Sequence, residues 1–141
     1  MGQAIPINTP VGILKGRDCI YIDQVIFDDL DNLKFYGELN EHLVAAHNQR
    51  KISKKLELIS YELTFKRVLS YFACELDTYE NLAGTSYLND SSFDIIEQSS
   101  WLRRFPIRKD FDRSIYKHYR IFTYDVVFNI IAVDYDMDIT G

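Results

Sequence analysis

Apolar and polar residues alternate with a period of two along much of this chain, the mark of strands with one buried face. From Cys19 onward, Ile20, Ile22 and Ile26 share one parity, while Tyr21, Val25 and Phe27 share the other. Residues 28–32 (Asp-Asp-Leu-Asp-Asn) then give a turn, and Leu33, Phe35, Gly37 and Leu39 alternate with Lys34, Tyr36 and Glu38 beyond it. Two such runs around an acidic loop predict a β-hairpin.

Residues 40–55 are polar, and 41–47 suit a short helix or a loop equally. The segment 56–76 fits two patterns. Leu58, Tyr61, Phe65, Val68 and Phe72 make a helical stripe, but Ile59, Tyr61, Leu63 and Phe65 also alternate strictly with Ser60, Glu62 and Thr64. The density of aromatic side chains favours two strands joined near Lys66-Arg67. Residues 77–92 read as loop. A short strand follows over 92–96, then a brief helix capped by Ser99 or Ser100, carrying Trp101 and Leu102 and ended by Pro106. Residues 107–117 read as a charged loop.

The C-terminal region carries the clearest pattern. Tyr119, Ile121 and Thr123 alternate with Arg120, Phe122 and Tyr124, and residues 126–133 are apolar on both parities except at Asn129. Val133, Tyr135, Met137 and Ile139 then alternate with Asp134, Asp136 and Asp138, so a central strand is expected to become one-sided as it leaves the core. Residues 1–14, with Gly2, Pro6, Pro10 and Gly12, read as an extended lead-in to one domain spanning 1–141. The fold class expected is mostly β (or α+β), an antiparallel β-sandwich or bent sheet with one or two short helices.

Composition refines this picture. The 141 residues include 10 Tyr, 9 Phe and 1 Trp, an aromatic load that suits strands. No signal peptide is expected from the N-terminal residues, and no apolar run reaches the roughly 18–20 residues of a membrane span. Cys19 and Cys74 sit in apolar contexts and read as small reduced core residues, which makes the cytoplasm the expected setting.

Motifs for chemistry are sparse. Asp134, Asp136 and Asp138 superficially match an EF-hand loop, but Ile139 stands where such a loop needs Gly, and carboxylates two apart on a strand line its wet face. His42 and His47 are five apart, a spacing that suits neither a helical nor a strand zinc site. No metal and no cofactor is expected. No phosphate-binding glycine loop or nucleophile elbow occurs, so no catalytic residue is assigned. His118 reads as a surface or edge-strand histidine; the enzyme alternative would make it a general base beside a carboxylate and a tyrosine.

Charge is unevenly spread. The net charge is −5, yet 13 of the 16 Lys and Arg fall in residues 50–67 and 101–120, and residues 71–100 and 121–141 contain none. Arginine beside aromatic residues is common at protein interfaces, which points to Trp101, Arg103, Arg104 and Arg108. The same window, with Phe105, Phe111, Tyr116 and Tyr119, also describes a single-strand nucleic-acid platform, which a pI near 5.1 disfavours. The acidic loop offers Asp28, Asp29 and Asp31 to a cationic partner, steered by long-range attraction.

Ser100-Trp101-Leu102, the run 117–125 (Lys-His-Tyr-Arg-Ile-Phe-Thr-Tyr-Asp) and Ile130-Ile131-Ala132 give the last third a layout that resembles small uncharacterised bacterial cytoplasmic proteins, some of immunity-protein type. That resemblance implies binding rather than catalysis and transfers no functional residue. The function expected is a small binding protein with a protein partner, an immunity-type inhibitor of a basic toxin.

Overall fold

In the computed structural model, residues 2–16, 18–40, 58–83 and 91–140 are described. Strand makes up 57% and helix 11% of the structure. One sheet has the order β1 (Gln3–Pro6), β8 (Phe93–Glu97), β9 (Lys117–Phe122), β10 (Val126–Ala132), β7 (Ser70–Glu75). The other has the order β11 (Asp134–Ile139), β6 (Leu58–Lys66), β5 (Leu33–Asn40), β4 (Ile20–Phe27). A small hairpin pairs β2 (Asn8–Thr9) with β3 (Gly12–Ile13). All pairings are antiparallel. The mostly β sandwich or bent sheet expected from alternation is therefore present.

The two sheets share a corner. β6 runs into β7, and β10 runs into β11, with Ile131 opposite Ser70 on one side of the bend and Asp134 opposite Lys66 on the other. Arg67 turns the first crossing at φ 54°, and the Val133 N–H donates to the Lys66 carbonyl where the second strand crosses. The apolar run 126–133 and the acidic alternation after it are thus two strands in two sheets. They are not one strand leaving the core: both parities of β10 are covered, whereas β11 is an outermost strand with a wet face.

Between the sheets lies an aromatic core. Phe35 packs on Phe128 at 4.8 Å, Phe65 on Tyr119 at 5.2 Å, and Phe93 on Tyr135 at 5.2 Å between ring centroids. Each pair joins strands of opposite sheets, so alternation on both sheets converges on one cluster. Burying each such side chain is worth about 1.5–3 kcal/mol, with about 0.5–1.5 kcal/mol more per ring pair. Part of the aromatic excess in the composition is spent here.

The hairpin of β4 and β5 forms as the alternation predicts, with a bulge between Ile22 and Gln24. At Gly37 an added Cβ would overlap the Tyr21 carbonyl, and Tyr61, opposite Gly37 on β6, donates its hydroxyl to that same oxygen at 3.0 Å. The lead-in 1–14 is extended but not peripheral: β1 pairs with β8, and Ile7, Val11 and Leu14 join the core.

The loop expected over 77–92 is corrected in part by α1 (Leu76–Ala83). Glu75 accepts hydrogen bonds from the N–H groups of Asp77 (2.9 Å) and Thr78 (3.0 Å), capping the helix start. Leu76 and Tyr79, one turn apart, pack against Phe122 and Val127. A two-residue stripe was too short to register as a period. A second helix, α2 (Ser100–Arg104), is the capped turn anticipated before Pro106. The helix-or-loop segment 41–47, both of its histidines and the basic residues at 50–55 lie outside the described residues. No helix among the described residues is long and apolar enough to cross a membrane.

Candidate functional site

Two regions stand out, one on each side of β7. The first is the outer face of the five-stranded sheet beneath α2. Ser99 caps α2 by accepting from the Leu102 N–H at 3.0 Å. The Arg113 guanidinium closes the other end, donating to the carbonyls of Leu102 (2.8 Å) and Phe105 (2.7 Å), a cation placed where carbonyls are otherwise orphaned. Trp101 fixes the helix to the sheet, meeting Phe72 of β7 at 5.3 Å and His118 of β9 at 4.9 Å.

His118 corrects the surface or edge-strand expectation. It is buried on the middle strand of its sheet, because residues before Phe122 alternate on a strand whose outer face α2 covers. Both ring nitrogens are engaged, Nδ1 with Ser99 Oγ and Nε2 with Asn129 Oδ1, each at 2.7 Å. One consistent pattern has Nε2–H donating to Asn129 and the Ser99 hydroxyl donating to Nδ1. Burial, opposed in part by the hydrogen bond to Asn129 and helped by the nearby Arg120 charge, pushes the His118 pKa down to about 4, so the ring is neutral at pH 7. Beside it Arg120 pairs with the buried Asp94 at 3.3 Å. Arg120 Nε and Asn129 Nδ2 are buried donors without an acceptor among the described residues, which the fold carries as a cost.

This row does not have the chemistry of an activated nucleophile. The Ser99 hydroxyl is 6% exposed and already caps a helix, and the partners of His118 are a serine and an amide rather than a carboxylate. The acids near it in sequence have other tasks or are exposed: Asp110 holds Arg108, Asp112 caps a short 3-10 turn, and Asp125 faces solvent. The row fastens α2 to the sheet.

Beneath α2 opens a cleft of about 590 Å³. Ile96, Leu102 and Tyr116 contribute apolar wall, Ser99 and His118 line it as well, and Arg103 and Lys117 stand at its exposed rim.

The second region is the side formed by β4 and β7, both outermost strands among the described residues. Phe27 at the end of β4 meets Tyr71 at the start of β7 at 5.8 Å. Phe27 is 48%, Tyr71 39% and Leu30 73% exposed, a large apolar exposure for one corner. Around them lie the acids of the hairpin. Asp28 is structural, accepting from the N–H groups of Leu30 (2.9 Å) and Asn32 (3.0 Å), and those backbone hydrogen bonds hold its carboxyl below the usual range. Asp23, Asp29 and Asp31 are exposed.

The residues anticipated from sequence therefore separate. Trp101 is half-buried as an anchor, Arg103 reaches the cleft, Arg104 is exposed, and Arg108 is held by Asp110 at 2.7 Å and lies over Phe111. Asp29 and Asp31 stand free of the hairpin's own bonding more than Asp28 does. Of the five aromatic residues interleaved with the arginines, Tyr116 and Tyr119 are buried and offer no stacking face. Sequence reasoning missed Ser99 with His118 and Asn129 as a unit, and missed Phe27, Leu30 and Tyr71. Asn129, the lone polar residue in an apolar run, was the available signal for the first.

Taken together these features define a mostly antiparallel β-sandwich with a fastened helix on one sheet and an acidic, apolar edge beside it. No protein-family model, curated protein or solved structure matches the chain.

Proposed function

We propose that this chain is a non-catalytic binding protein that docks a basic protein through its β4–β7 side, in the manner of an immunity-type inhibitor of a basic toxin. The observation that carries the reading is the exposure of Phe27, Leu30 and Tyr71 beside the carboxylates of Asp29 and Asp31. Apolar anchors supply affinity once desolvated, and surrounding acids choose a cationic partner and speed its approach. Two cations share this corner: Lys34, on the neighbouring strand, is drawn onto Asp28 at 3.8 Å, and exposed Arg67 adjoins Val68, whose N–H donates to the Asp31 carbonyl.

Co-expression with the products of adjacent genes, followed by purification of the complex, tests this. The expected result is a basic partner whose complex is lost with Phe27→Glu and whose association slows with Asp29→Lys plus Asp31→Asn, the latter keeping a residue suited to the positive φ of 62° there. A complex indifferent to both variants overturns the reading.

A further inference from the structure

The cleft under α2 plays no part in docking at β4 and β7, yet it has the form of a small-molecule site. Its volume, about 590 Å³, lies within the roughly 300–1,000 Å³ usual for such sites. Its composition is more telling than its size. Ile96, Leu102 and the Tyr116 ring give an apolar wall, while cations are gathered at the rim. Arg113 gives three of its five N–H groups to the carbonyls of Leu102, Arg103 and Phe105 at the end of α2, so its charge is present but only part of its donor set is open. Arg103 and Lys117 are different: both are exposed and neither is in an ion pair among the described residues. Elsewhere Arg108 and Arg120 are each paired with a carboxylate.

Glu97 lines the same cleft. Three cations against one carboxylate leave the rim positive, but Glu97 penalises a second negative charge on anything bound beside it. The arrangement selects a single negative charge attached to an apolar body. Arginine further favours a planar carboxylate, which its guanidinium grips through two parallel hydrogen bonds. The floor is rigid, because Ser99 and His118 are fixed by their mutual hydrogen bond and by the cap of α2.

We propose that this cleft binds a small amphipathic monocarboxylate, its apolar body against Ile96, Leu102 and Tyr116 and its carboxylate between Arg103 and Lys117. The site is independent of the β4–β7 side, and either assignment can fail without the other.

Titration of the full chain with decanoate, followed by amide NMR, tests the proposal. Decanoate is expected to bind saturably below its micelle-forming concentration and to shift the Leu102, Arg103 and Lys117 amides. Acetate, which lacks the body, and decylammonium, which inverts the charge, are expected to bind at least about tenfold more weakly. Arg103→Glu with Lys117→Glu is expected to weaken decanoate by about tenfold or more. Phe27→Ser, which trims an exposed apolar surface away from the cleft, is expected to leave decanoate affinity unchanged. Absence of saturable binding, equal binding of decylammonium, or an unchanged affinity in the Arg103/Lys117 variant overturns the proposal.

Discussion

The two sides of β7 use the same residue types for opposite ends. On the α2 side, Trp101 meets Phe72, itself 43% exposed, and the His118 ring of a polar row that is buried and mutually bonded, so removing any member of that row disturbs its neighbours. On the β4 side, Phe27 and Tyr71 touch each other and then face solvent, with Asp29 and Asp31 exposed nearby and in no ion pair among the described residues. An aromatic residue in a β-sandwich thus says little by itself. What surrounds it decides between structure and recognition: buried, mutually bonded polar partners mark a fastening, and exposed charge beside exposed rings marks a surface awaiting a partner.

This contrast makes substitutions on the α2 side matter for stability and those on the β4 side matter for binding. The largest stability effect expected is the pH dependence of His118. Above pH 6.5 the ring is neutral in both the folded and unfolded chain. Between 6.5 and about 4 the unfolded chain takes up a proton that the folded one refuses, so stability falls as pH drops, by about 3 kcal/mol in total; below about 4 this loss ends. Urea unfolding across that range, compared with His118→Gln, is expected to show a shallower decline in the variant. Equal declines would mean that the buried ring is not the source.

Next in size is Ser99→Ala, which removes the cap of α2 and leaves His118 Nδ1 without its donor. A loss of about 2 kcal/mol is expected in chemical denaturation, and a loss under about 0.5 kcal/mol, the range of ordinary surface changes, would reduce the row to incidental contact. Smaller and opposite in sign, Arg67→Gly relieves a positive φ of 54° at the corner between sheets, and should raise stability by about 0.5–1 kcal/mol. The smallest is Asp29→Lys with Asp31→Asn, which keeps at position 31 a residue suited to its positive φ of 62°, expected to shift stability by less than about 0.5 kcal/mol. A larger thermal shift there would show that these acids serve the hairpin and not a partner.

Sequence patterning reached the strands well, because alternation is a local record of which face is buried. It gave the β4–β5 hairpin, the pair β6 and β7, and the Ser99 cap of α2. The limits were equally physical. The corner at Arg67 and Val133 depends on a single backbone torsion and on pairing partners over 60 residues apart in the chain. α1 depends on Glu75 reaching back to cap it, which no periodicity records. The acids of the candidate surface were visible in the hairpin loop, whereas its aromatic members were not, since Phe27 and Tyr71 look in sequence like any inward strand residue. Only the placement of β4 and β7 as outermost strands exposes them. His118 was misplaced for the converse reason: α2 and Trp101 come from a different stretch of chain and bury it.

Phe27→Glu tests the central contrast most directly, with the melting temperature and the affinity for a co-purified basic partner measured on the same sample. The account predicts a melting temperature close to that of the wild type together with loss of the complex. A chain that unfolds while its remaining folded fraction still binds would contradict it, placing Phe27 in the core and the partner elsewhere.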